Sequence, residues 1–189
     1  MEVLGGLFAV LGVLVVIVAV FVAATYNSFV TLANLVKNSW ANIDTELRRR
    51  YDLIPNLVET VKGYAAHEKS VFDAVTQARA KAIASNGSPA SQARDENQLV
   101  GTLKSLFAVS ERYPDLKASE SFLRLQQSLV DTEDRIQAAR RFYNGNVKDL
   151  NTKCDLFPSN MVARLFSVGH ADYFEVENLE VKAPVRVSL

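Results

Sequence analysis

The expected fold is decided by the segment Trp40–Glu68, which reads WANIDTELRRRYDLIPNLVETVKGYAAHE and has the longest unbroken amphipathic pattern in the chain. No Gly or Pro occurs between Gly12 and Pro55. Apolar residues recur there at steps of three and four, which places them on one helix face. They are Phe29, Leu32, Val36, Trp40, Ile43 and Leu47. The pattern therefore predicts a long helix that enters this segment from the N-terminal side.

Pro55 predicts the end of that helix and a tight turn into the next one. Proline lacks an N–H and disfavours helix in the residue before it, but it is accepted in the first turn of a helix. Asp52 is a suitable N-cap, because its carboxylate can accept from free backbone N–H groups. A short turn here makes the two helices antiparallel neighbours.

Upstream, Val3–Ala24 is an apolar run without a charged residue, long enough to cross a bilayer as a helix. A cleaved signal peptide is the alternative, and Ala23-Ala24 could serve as its cleavage site. The absence of Lys and Arg before the run, and its length, favour a retained anchor. Lys37 is the nearest downstream positive charge, so the positive-inside rule favours an outside N-terminus and an inside C-terminus.

Downstream, the periodicity predicts an all-α protein in which the N-terminal transmembrane helix continues into a long antiparallel up-and-down four-helix bundle, with a short fifth helix and a partly extended C-terminal tail. The predicted parts are an anchor over 1–25, a bundle over 26–166 with helices at about 26–51, 55–85, 91–112, 118–152 and 159–166, and a tail over 167–189. The helix over 118–152 is close to a heptad register. In the tail, 173–176 and 185–187 look extended.

Composition argues against several kinds of chemistry. The chain has 21 basic and 21 acidic residues, so it lacks the charge excess of a nucleic-acid partner. Neither common phosphate-binding glycine loop is present. His67 and His170 lack the Glu-x-x-His spacing of di-iron bundles, and we expect them to be surface residues of helix two and the tail. Cys154 is expected to pack near a helix end. The prediction is a non-enzyme without catalytic, cofactor or metal residues and without an evident small-molecule substrate.

Charged residues beside apolar stripes are predicted to have structural roles. Asp44, Glu133 and Arg140 flank helix seams, where polar groups can fix the register between helices, and a ligand-binding role is the alternative. Arg48–Arg50 would lie roughly 35–40 Å beyond the bilayer on an upright helix, too far for lipid headgroups. We expect these arginines on a solvated helix face, paired with nearby acids.

Several segments closely resemble the LemA family of bacterial membrane proteins, in the same order and over nearly the whole chain. They are NLVKNSWANIDTELRRRYDLIPNLVETVKGYAAHE (34–68), LKSLFAVSERYPDLKA (103–118), TEDRIQAARRFY (132–143), Phe157-Pro158 and 173–176. The resemblance implies one N-terminal membrane helix, a long soluble helical bundle and, usually, a cytoplasmic C-terminal domain, which here means the bacterial inner membrane. It implies no settled biochemical activity.

These features predict a membrane-anchored helical scaffold or assembly protein that acts through helix-mediated self-association. Predicted helices two and four, at about 30–35 residues, would project past helix three, and the exposed apolar surface would need a cover such as a second copy. The alternative is an adaptor or accessory subunit of a membrane enzyme or quality-control system. The expected partners are the lipid bilayer through residues 3–24 and further copies of the chain, with another membrane protein as the partner in the adaptor alternative.

Overall fold

The computed structural model describes residues 2–176, with side chains from residue 4 onward. Its helices are α1 (Glu2–Lys62), α2 (Lys69–Ala84), α3 (Pro89–Ser110), α4 (Pro114–Lys117), α5 (Glu120–Asp155) and α6 (Ser159–Leu165). No strand occurs among the residues described. The predicted fold class, an N-terminal apolar helix that continues into an all-α bundle, is confirmed.

The chain divides into two compact units, and both α1 and α5 contribute to each of them. Unit 1 combines Met1–Asn38 with Gly145–Ala171. Unit 2 combines Ser39–Asn144 with the chain from Asp172 onward. The region expected to be one bundle, 26–166, is thus shared between two units.

Unit 1 contains the apolar run of α1. This is the one helix among the described residues that is long and apolar enough to cross a membrane. Its large apolar side chains between Leu4 and Val20 are exposed, as a lipid-facing segment requires. Beyond the run, the core of unit 1 is formed by Phe29, Leu150, Cys154, Val162 and Ala163.

Unit 2 is a bundle of four helices, α1, α2, α3 and α5, in which α2 packs against α3. Its most deeply buried apolar side chains come from all four helices. Examples are Ile43, Leu47, Leu57, Val61, Val75, Leu99, Leu103, Leu106, Ile136 and Tyr143. Ser88 begins α3 as its N-cap, accepting a hydrogen bond from the Ser91 N–H, and Pro89 occupies the first turn.

The predicted helix boundary at Pro55 is wrong, because Pro55 lies inside α1, which continues to Lys62. A proline inside a helix leaves the carbonyl four residues earlier without its usual N–H donor. Here that carbonyl belongs to Tyr51, and Arg79 Nε of α2 donates to it at 2.7 Å. A side chain from another helix thus replaces the missing donor, and the chain turns later, between Gly63 and Glu68.

The predicted length of helix two is also wrong. The segment expected to form one helix over 55–85 is divided between the end of α1 and the shorter α2. Helix two was expected to project past helix three, but α2 has 16 residues and is shorter than α3, which has 22. Of the two helices expected to project past α3, only α5 is longer than it, with 36 residues against 22.

The start of the tail is attached to unit 2. Asn144 of α5 accepts from the Phe174 N–H at 3.0 Å and donates to the Phe174 carbonyl at 3.1 Å. Phe174 is buried, and its ring contacts Trp40 at 5.2 Å between centroids. The segment 173–176 is not helical. The second segment predicted to be extended, 185–187, lies outside the described residues.

Candidate functional site

The most unusual feature of unit 2 is a cluster of charged side chains in its interior. Arg50 of α1 is 1% exposed and Glu96 of α3 is 0% exposed. Arg50 Nη2 donates to Glu96, and Nη1 donates to Glu133 of α5 at 3.2 Å. Tyr51 follows Arg50 and donates its hydroxyl to the other oxygen of Glu96. We call these four residues the Arg50 cluster, which connects three helices.

The Arg50 cluster carries one positive and two negative formal charges in a region shielded from solvent. Removing charges from water costs several kcal/mol for each ion, and this cost is repaid only by close pairing. Pairing is incomplete, since Arg50 Nε is buried without a hydrogen-bond partner among the described atoms. Burial, followed by the neighbouring Glu96 charge, raises the pKa of Tyr51 well above its ordinary value. Tyr51 therefore stays protonated and remains a hydrogen-bond donor.

The geometry favours a positioning role for this cluster over a chemical one. The guanidinium of Arg50 binds both carboxylates, and the Tyr51 hydroxyl occupies the second oxygen of Glu96. These directional bonds link α1, α3 and α5 to one another through buried side chains.

The predicted site residues lie in separate places. Glu133 belongs to the Arg50 cluster, whereas Asp44 is half-buried and pairs with Arg48 one turn away, at 2.9 Å. Arg140 donates to the backbone carbonyl of Val176 in the tail. Asp52 is an exposed residue within α1 and does not cap a helix, so that prediction is wrong.

Pro55 is likewise exposed and marks no turn. Whether Asp44, Glu133 and Arg140 fix helix register stays a prediction.

Sequence reasoning misplaced Arg50 and missed Glu96. Arg48 and Arg49 are on the outside, as expected, but Arg50 is buried. The signal was present, because Arg50 falls three residues after Leu47 and four before Ile54, on the apolar stripe of α1. Glu96 likewise stands three residues before Leu99 on the stripe of α3. A single charge on the core face of each of two helices indicates a buried pair.

The remaining reactive residues form no catalytic arrangement within the part of the chain that is described. His67 is exposed in the turn between α1 and α2, not on the predicted second helix. His170 contacts Asp155 at 3.0 Å on the surface of unit 1. Cys154 is buried near the end of α5, and burial raises the pKa of its thiol, which disfavours the reactive thiolate. Within residues 2–176, no three His, Cys, Asp or Glu side chains are placed to hold a metal ion.

Comparison with known proteins places this chain among membrane-associated helical proteins. The model of the LemA family matches residues 39–189, which include the whole Arg50 cluster. Magnetosome protein MamQ 2 of Paramagnetospirillum magneticum is 27% identical, over 90% of this chain and 73% of that protein.

Two further relatives are similarly distant. Magnetosome protein MamQ of Magnetospirillum gryphiswaldense is 26% identical, over 79% of this chain and 64% of its own length. Protein LemA of Metamycoplasma hominis is 26% identical, over 82% of this chain and 70% of its own length. Because the family model matches residues 39–189, which are most of the chain, this membrane-associated helical protein belongs to the LemA family.

Proposed function

We propose that this protein is a membrane-anchored helical scaffold or assembly protein that acts through helix-mediated self-association. The observation that carries the proposal is the Arg50 cluster. The charged side chains of the cluster bind one another and connect α1, α3 and α5, so they are used to build the bundle and are not available to bind a ligand. Function is then carried by the outer faces of the helices. Three relatives are named as magnetosome proteins, and membership of a larger cell structure is compatible with this role.

Phe142 is the side chain of unit 2 best suited to self-association. It lies on α5, is 58% exposed, and is the most exposed large apolar side chain among the described residues of that unit. Its neighbour Arg141 is also on the surface. Aromatic and arginine side chains are the residues most often responsible for interface energy. We therefore assign Phe142 to the contact between copies.

The test is the mass of the full chain purified in mild detergent, measured by light scattering after size-exclusion chromatography. We expect a homogeneous homo-oligomer for the parent and a shift to monomer for Phe142→Ser. Ile83→Ser is the matched control, because Ile83 is 49% exposed on α2 and its replacement should leave the oligomer intact. A parent that is monomeric, or one that purifies bound to an unrelated membrane protein, would contradict self-association, and the second outcome would favour the adaptor role.

We further propose that the protein lies in the bacterial inner membrane with its N-terminus outside and its C-terminal part in the cytoplasm. The support is the distribution of positive charge around the apolar run, with Lys37 on the C-terminal side and no Lys or Arg before Val3.

A further inference from the structure

Unit 1 exposes several large apolar side chains in the turn after α5, on α6 and directly after α6. The group, called the α6 surface here, consists of Leu156, Phe157, Met161, Leu165 and Phe166, all of them exposed. Phe157 is 79% exposed, the highest value among the large apolar side chains described. Several exposed large apolar side chains within one short stretch of chain indicate a contact with another apolar phase.

The α6 surface lies at the end of the apolar run of α1. The Phe166 ring contacts the Tyr26 ring at 4.6 Å between centroids, and Tyr26 is two residues beyond Ala24. Val22, inside the apolar run, packs against the core to which α6 contributes. At 1.5 Å per residue, Val22 and Tyr26 are separated by about 6 Å along α1. These contacts place α6 at the depth where hydrocarbon gives way to headgroups, the level at which tyrosine is enriched.

α6 packs one face against the core of unit 1 and leaves apolar residues exposed on the opposite face. Val162 and Ala163 are buried with Phe29, while Met161 and Leu165, one turn apart, share an exposed face. The preceding turn is also fixed, because Ser159 Oγ lies 2.7 Å from the Lys153 carbonyl oxygen and 2.8 Å from that of Leu156. The α6 surface is therefore preformed.

The geometry points to the α6 surface as a second membrane contact, which lies in the interfacial layer of the bilayer that α1 crosses and inserts its apolar side chains among the lipid acyl chains. The occupant is lipid, since Phe166 contacts Tyr26 two residues beyond the apolar run, and Val22 inside the run packs against the core that includes Val162 and Ala163 of α6. This inference needs the membrane association of α1 but not self-association. Because the contacting side chains are apolar, the insertion should respond little to salt.

The test uses the full chain in vesicles of phosphatidylcholine and phosphatidylglycerol, with one spin label at Phe157→Cys in a Cys154→Ser background. Collision rates with oxygen, which concentrates in acyl chains, are compared with those of a water-soluble nickel complex. We expect an oxygen-to-nickel ratio several-fold higher than for the control label at Ile83→Cys, an exposed apolar position of unit 2. The ratio should persist at high salt.

Met161→Cys provides a second label on the same surface, and circular dichroism checks each fold. Should Cys154→Ser impair folding, the native chain serves as background, because the Cys154 thiol is buried. Equal ratios for the α6 and control labels would overturn the proposal. So would spin–spin broadening at the α6 labels that disappears on dilution with unlabelled protein, since this would identify a second copy as the occupant.

Discussion

At the scale of the residue, Arg50 shows how one buried cation can organise a helical interior. Its two terminal nitrogens bind carboxylates on two other helices, and the planar guanidinium fixes both directions at once. Burying three charged groups has a large desolvation cost, which their mutual pairing has to offset. Removing one member leaves its partners buried and unpaired. The stability lost should therefore exceed the net stability that the complete cluster contributes.

Replacing Arg50 with methionine tests this asymmetry. Arg50→Met leaves two buried carboxylates without their cation, and we expect the free energy of unfolding to fall by about 3–5 kcal/mol. The measurement is urea unfolding of the detergent-solubilised chain, followed by circular dichroism. Arg48→Met is the control, because that side chain is 74% exposed, and its loss should cost less than about 1 kcal/mol.

A second comparison separates charge from packing. Adding Glu96→Gln and Glu133→Gln to Arg50→Met removes the unpaired negative charges, so part of the lost stability should return. A triple variant less stable than Arg50→Met would contradict the electrostatic explanation.

Tyr51 gives a prediction for alkaline pH. Its pKa is raised in the folded protein, first by burial and then by Glu96. An unfolded tyrosine loses its proton near pH 10, whereas folded Tyr51 keeps it, so unfolding releases a proton above that pH. The stabilising contribution is complete below about pH 10 and is lost as the pH rises further, by about 1.4 kcal/mol per pH unit.

Tyr51→Phe should remove this contribution. The variant loses the hydrogen bond to Glu96, at a cost of about 1–3 kcal/mol at neutral pH. Its stability should then decline less steeply than that of the parent between about pH 10 and pH 11. Urea unfolding at each pH provides both quantities, and parallel pH profiles for the two proteins would refute the assignment.

At the scale of the element, α1 is notable for continuing through a proline. An interior proline costs a helix roughly 3 kcal/mol, partly through the lost hydrogen bond. In this protein the Tyr51 carbonyl regains a donor from Arg79, a cationic group on α2. The continuity of α1 is thus a property of two helices together.

A double-mutant cycle measures that dependence. Arg79→Met should destabilise the parent by about 1.5–3 kcal/mol, because the partly buried Tyr51 carbonyl loses a charged donor. In a Pro55→Ala background the backbone N–H regained at this position can satisfy the Tyr51 carbonyl, so the same substitution should cost much less. Urea unfolding of the four proteins gives the coupling energy. Lys69→Met, which removes an exposed cation from α2, is the control, and additive effects of the Pro55 and Arg79 changes would contradict the explanation.

At the scale of the whole molecule, each unit has its own character. Unit 1 combines a membrane-crossing run with a small apolar core and the exposed α6 surface. Unit 2 combines an apolar bundle with a buried ionic cluster and an attached tail. The first suits attachment to lipid, and the second suits the self-association proposed above for its outer helix faces.

The orientation of the molecule is testable with reporters. The positive charge that follows the apolar run predicts a cytoplasmic C-terminus. An enzyme that is active only in the cytoplasm should therefore function when fused after Leu189, and one that is active only outside should not. The reverse pattern would overturn the proposed orientation. Lys37→Glu, which reverses the nearest charge, should weaken the preference for this orientation.

The sequence alone determined the features that depend on neighbours along the chain. The apolar run of α1 and the stripes of α3 and α5 are visible from composition and spacing, because helix periodicity and membrane transfer are local properties. The predictions of a long apolar N-terminal helix and of an all-α bundle are therefore confirmed. Glu133 could also be singled out as a charge beside a seam.

Only the tertiary structure decided what depends on distant groups. Pro55 has the local chemistry of a helix break, yet Arg79, 28 residues from Tyr51, supplies the donor that keeps α1 continuous. Arg50 resembles its two exposed neighbours in sequence, but Glu96 and Glu133 on other helices make its burial tolerable. A polar group can be buried only where another group in space binds it, and the apolar periodicity of one helix does not show which residue of another helix that will be.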